Sequence, residues 1–180
     1  MNLPVNPYKF SVNFYFMKKA SELSLFTTII AWAILIGGVM YSHIVYFPAY
    51  LSNLPESNSL IKGDHGLHDQ DFWLFVHPLA ILSTVSALIL NWKQTTRRKF
   101  ILIPLGIYAM AIVATAFYFV PGLLAFADSH NATTVTPSEW FQRGQTWQHW
   151  SWVRGFSLFC GFAMLLIALT KDRREMQRSR

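Results

Sequence analysis

The chain has 180 residues, of which 53% are hydrophobic, 16% aromatic and only 13% charged, with a mean hydropathy of +0.29. Soluble domains carry about 25% charged residues and must show water a largely polar surface, so the composition argues against a soluble enzyme or a nucleic-acid module. A net charge of +6 on so few charges points to a bilayer, and the lone Cys160 leaves no disulfide framework or thiolate zinc site.

The first 23 residues mix polar and aromatic types and do not form a signal peptide, so the apolar stretch behind them reads as a retained anchor. Crossing a bilayer takes about 20 mainly apolar residues. Four stretches meet that length, at about residues 24–46, 72–92, 100–120 and 149–170. The expected fold is therefore all-α, a single membrane domain built as an up-down-up-down bundle of four transmembrane helices. Two longer connections, about 47–71 and 121–148, lie at one end. Twelve of the fifteen basic residues fall before the first span, between the second and third, or after the fourth. The positive-inside rule then places both termini in the cytoplasm and both long connections outside. The two hairpins are faintly alike, since Tyr46-Phe47-Pro48 closes the first span and Tyr118-Phe119-Val120-Pro121 the third. A tandem repeat and coincidence are both open at this point.

That topology puts all six histidines on the outer side. His43 is near the outer end of the first span, and His77 lies about a turn and a half into the second. His149 opens the fourth, His65 and His68 sit in a Gly- and Asp-rich turn, and His130 is in the second outer connection. Imidazole and carboxylate without thiolate suit Zn, Cu, Mn or non-haem Fe, and paired imidazoles suit haem iron. His43, His77 and His149 are the first candidate ligands, with His65 and His68 behind them. Each has another reading. His43 and His77 can simply hydrogen-bond across a helix interface, and loop histidines can simply be solvated. Asn131-Ala132-Thr133 forms a glycosylation sequon on the same side.

Arg154 lies roughly 8 Å inside the fourth span, counting from His149 at the helical rise. A charge at that depth faces the bundle interior or a wet cavity, unless it snorkels to the surface. Trp147, Trp150 and Arg154 have i, i+3, i+7 spacing and are expected on one helix face. With Trp73 at the start of the second span, they give an aromatic wall beside a fixed cation. Such a wall suits an anionic or quinone-like small molecule. Arg154, His77 and His43 are the candidate catalytic groups, and Trp73, Trp147 and Trp150 the candidate substrate-binding ones.

Trp147-x-x-Trp150-Ser151-x-x-Arg154, followed by Gly155-Phe156-Ser157-Leu158, resembles the last helix of the anthrone-oxygenase-like family of small four-helix membrane proteins. The Gly-rich first span leading to Pro48, and Phe72-Trp73 opening the second, are similar to that family too. The family often carries Asn at the position of Ser151. The resemblance implies oxygenase-type or related redox activity on a small aromatic or lipophilic molecule. Three readings follow for the whole chain. It is a membrane oxidoreductase, a non-catalytic metal- or haem-binding protein or accessory subunit of a membrane complex, or a structural membrane protein with no cofactor. In every case its surroundings are lipid and not nucleic acid.

Overall fold

The computed structural model describes the backbone of residues 7–128 and 135–178, and the side chains of 16–128 and 135–171. His130 and the Asn131 sequon lie outside the described residues. Helix α1 (Pro7–Tyr41) passes into a π turn (Ser42–Tyr46) and then α2 (Phe47–Leu51). A 3-10 turn (Glu56–Leu60) precedes α3 (Asp69–Leu90). Helix α4 (Thr95–Ala114) passes into a second π turn (Thr115–Phe119) and α5 (Val120–Ala127), and α6 runs Pro137–Arg178. Four stretches are long and apolar enough to cross a membrane: Phe16–Leu51, Asp69–Leu90, Thr95–Ala127 and Pro137–Lys171. No strand occurs among the described residues. The chain is an all-helical, multi-pass membrane protein.

Contacts between helices fix their directions. Asn91 donates to the Ser21 carbonyl, Thr28 to the Ser83 carbonyl, and Trp32 to Thr84 Oγ1 at 2.9 Å. From Ser21 beside Asn91, just past the end of α3, through Thr28 beside Ser83 to Gly38 beside Phe72, ascending positions on α1 meet descending ones along α3, so the two are antiparallel. Phe119 with Trp147, Thr115 with Arg154, and Pro104 with Gly161 give the same sense for α4–α5 against α6. Side-chain hydroxyls on these helices return to carbonyls three or four residues back, as Thr84 does to Ala80. In lipid no water is present to satisfy them otherwise.

Both long connections are shorter than the sequence suggests. The sequence reading ends the first and third spans near an aromatic–proline segment, but the chain stays helical through both. Each π turn closes with an N–H five residues on, Phe47 to Ser42 and Val120 to Thr115. Pro48 and Pro121 then sit in the first turn of the helix that follows, where the wider turn before each already departs from the α ladder that proline cannot complete. The π turns and their prolines keep one spacing along the chain: Ser42 to Thr115, Tyr46 to Phe119, Pro48 to Pro121. The two hairpins thus share this local geometry at corresponding positions. The last helix starts at Pro137 rather than near His149 because 136–139 is a capping box. The Thr136 N–H donates to Glu139 Oε2 at 3.0 Å, and the Glu139 N–H to Thr136 Oγ1 at 3.4 Å.

Gly161 admits the fully buried Trp32 ring: a Cβ there would lie 3.0 and 3.1 Å from ring atoms. That ring is held by Thr84 and cannot retreat freely. Gly161→Ala is expected to destabilise by about 1–3 kcal/mol, seen as a lower midpoint of thermal unfolding in detergent. Gly37→Ala, with nothing within 4 Å of its added Cβ, serves as the neutral control.

Candidate functional site

Two packed clusters stack along the bundle. One surrounds Trp32, Leu35, Val76, Ile101, Tyr108 and Leu165. The other is an aromatic cap of Tyr46, Phe47, Tyr50, Phe119, Phe126, Trp140 and Trp147. Tyr50 donates to Asn58 Oδ1, Asn58 donates to the Phe126 carbonyl, and Lys62 Nζ donates to the Ala127 carbonyl at 2.7 Å. The first connection thereby latches onto the end of α5, where a cation complements the exposed carbonyls. Between core and cap lies a cavity of about 660 Å³.

The structure brings His43, His77, Arg154, Trp73 and Trp147 to the walls of this one cavity. Arg154 reaches in from α6. Its Nη1 donates to Thr115 Oγ1 at 2.7 Å and its Nη2 to Ser151 Oγ at 3.1 Å, and the guanidinium lies 4.0 Å from the centre of the Phe119 ring. Among the described residues no carboxylate pairs with it. Two hydroxyls and a π face hold the cation in place, and none of them neutralises it.

His77 stacks on Trp73, with ring centroids 5.3 Å apart, and its Nδ1 lies 2.5 Å from the Tyr108 hydroxyl. Its Nε2 has no protein hydrogen bond among the described residues. Tyr108 is buried, so the imidazole is fixed on two sides. At the mouth, Asp69 opens α3 and lines the cavity with Trp73, and exposed His68 precedes the helix.

His43 is only 2% exposed and comes from the first π turn. Its Nδ1–H donates to the Val39 carbonyl at 2.7 Å, and its ring lies 4.6 Å from that of Trp152. Nε2 packs toward Gly155, with the Ser151 carbonyl nearby but outside hydrogen-bond geometry. His43 is therefore wedged between α1 and α6, the interface role the sequence left open. Its free nitrogen points at a helix rather than presenting itself to an iron in the cavity.

Three candidates lie elsewhere. Trp150 is 54% exposed and off the cavity. At about 100° per residue it stands roughly 60° round the helix from Trp147. Ser151 takes the inward position instead and is fully buried. His149 is exposed, its ring against Trp150, so it does not join His43 and His77. His65 is exposed in its turn. Among the described residues no three of His, Cys, Asp and Glu gather as a metal-ligand set.

Sequence reasoning missed Tyr108, Thr115 and Ser151. Thr115 and Ser151 are hydroxyl residues of a kind common in membrane helices, and only their convergence on Arg154 marks them. Thr115 also donates to the Ala111 carbonyl at 2.7 Å, which leaves its lone pairs for the guanidinium. Comparison with protein-family models, curated proteins and solved structures finds no match to this chain.

An unneutralised cation inside a bundle is destabilising in the empty protein. Replacing a buried charge by a well-packed apolar group is often neutral or stabilising by about 1–4 kcal/mol. Arg154→Met is expected to raise the thermal midpoint of the ligand-free protein in detergent; a lowered midpoint would mark Arg154 as a structural tie.

Proposed function

We propose that the cavity binds a small aromatic molecule bearing an ionisable oxygen, a phenol or hydroquinone, and that the protein is an oxidoreductase acting on it. The observation that carries this reading is Arg154, a partly buried guanidinium with no counter-charge among the described residues, facing an aromatic-walled cavity of about 660 Å³. An oxyanion is the group that such a fixed cation stabilises best. His77 stands on the same cavity, and in the tautomer whose Nδ1–H donates to the Tyr108 oxygen its Nε2 takes the phenolic proton while Tyr108 holds the imidazolium. Trp73 and Trp147 flank the ring of the substrate.

The redox step takes dioxygen as co-substrate, in keeping with the resemblance to anthrone-oxygenase-like proteins. A bound hydroquinone loses two electrons and two protons and becomes the quinone. Dioxygen gains both and leaves as hydrogen peroxide. The clustering of basic residues at the other end of the bundle supports a cytoplasmic location for both termini and an outward-facing site.

Binding is measured on the purified protein in lipid nanodiscs, with 1,4-naphthohydroquinone as probe and quenching of tryptophan fluorescence as signal. Arg154→Met should weaken binding about tenfold or more. His77→Gln should bind nearly as well but lower peroxide formation by about 100-fold. Saturable binding without peroxide would favour the accessory or binding reading. An unchanged affinity in Arg154→Met would sink the site. A reporter fused after Arg180 should be active in the cytoplasm, and an exported one would reverse the orientation.

A further inference from the structure

The cavity wall is not closed on every side. Leu74 and Pro78 of α3, and Val120 and Leu124 of α5, line the cavity and at the same time lie on the outer surface of the bundle. Leu74 is 72% exposed and Leu124 66%. Each pair is spaced i, i+4, so each helix contributes an apolar ridge along its rim of the opening. Helix α3 packs extensively on α1, and α6 on α4, but α3 meets the α4–α5 stretch only sparsely. The result is a cleft through the side of the bundle, not through its end.

Its depth sets what it opens into. Leu74 and Pro78 lie roughly 8 and 14 Å along α3 from its first residue, at the helical rise. Counted from Phe72, where the second span opens, they lie roughly 3 and 9 Å deep, at the outer edge of a hydrocarbon layer about 30 Å thick. The rim there carries no charge. The other way in, past His68, Asp69 and Gln70, is polar and carries a carboxylate, which disfavours an anionic or electron-rich head coming from water.

We propose that the ligand is a membrane-dissolved amphiphile, a hydroquinone with a long alkyl chain. It enters sideways from the bilayer between α3 and α5, its head reaching Arg154 and its chain lying in the cleft between Leu74 and Leu124. This rests on reading the cavity as a phenol- or hydroquinone-binding site. The cavity holds on the order of 20 water-sized groups at about 30 Å³ each. That is room for a fused ring and the first part of a chain, whose remainder stays in lipid.

The test compares two probes in nanodiscs: 1,4-naphthohydroquinone itself, and the same head with a ten-carbon chain ending in a diazirine. Because each methylene favours the bilayer over water by about 0.8 kcal/mol, the chain concentrates the probe in the nanodisc beside the cleft and should improve the apparent affinity, counted on total probe, roughly tenfold or more. Photolysis should label the peptides holding Leu74, Pro78, Val120 and Leu124, and excess probe without the diazirine should abolish that labelling. The double variant Leu74→Trp with Leu124→Trp narrows the cleft, and should weaken the chain-bearing probe about tenfold while leaving the short probe within about threefold. Labelling at 60–68 instead, equal affinity for both probes, or equal loss of both in the double variant would overturn lateral entry. If neither probe binds saturably to the wild type, the cavity reading itself fails. If the short probe binds and the chain adds nothing, only the route fails.

Discussion

A guanidinium taken out of water needs a carboxylate or a full set of acceptors, and Arg154 has neither in full. Thr115 and Ser151 hold two of its nitrogens and Phe119 covers its face. The holding groups come from two helices, so the cation sits where it does only while α6 and the second π turn remain in register. Much of the surrounding architecture serves that register. The Trp147 indole donates to the Phe119 carbonyl at 3.1 Å, which ties the same two elements together one level higher. A hydroxyl pair orients a charge without cancelling it, and that difference separates a site from a structural ion pair.

The cap and the core divide the remaining work. Below the cavity, Trp32 and Tyr108 pack ring on ring with centroids 5.4 Å apart, and Tyr108 turns its hydroxyl upward to His77. Above it, Phe47, Phe119 and Phe126 meet the edges of Trp147. Aromatic edges and faces set each other's angles, so the roof is a rigid lattice rather than a loose apolar lid. The polar latches from Asn58 and Lys62 join it to the first connection. A molecule in the cavity therefore meets preformed walls on most sides and a gap on one.

The sequence carried the coarse architecture because lipid imposes it: a span must be about 20 residues long, and hydropathy alone locates four. Depth was legible as well, since helical rise converts a residue count into distance, and so His43, His77 and Arg154 could be placed at similar levels. Azimuth was not. Trp150 shares the i, i+3, i+7 pattern with Trp147 and Arg154 yet faces outward, because three residues fall short of a full turn and the neighbouring helix selects Ser151. The capping box of Thr136 and Glu139 was visible in the sequence but masked by the polar composition of its surroundings. The π turns left no local signal beyond the aromatic–proline pairs, which read more naturally as helix ends.

Those π turns have a further consequence, in the currency of chain length. A π turn holds one residue more than the α-helix it interrupts, and such insertions persist where they serve a site. Were Ser42–Tyr46 to wind as regular α-helix with its residues unchanged in number, the following segment would swing by about 100°, carrying Phe47 and Tyr50 off the roof. The same rewinding of Thr115–Phe119 would turn Phe119 away from the guanidinium. A substitution in the cavity wall changes one side chain. A change in the winding of either turn moves every wall position beyond it at once.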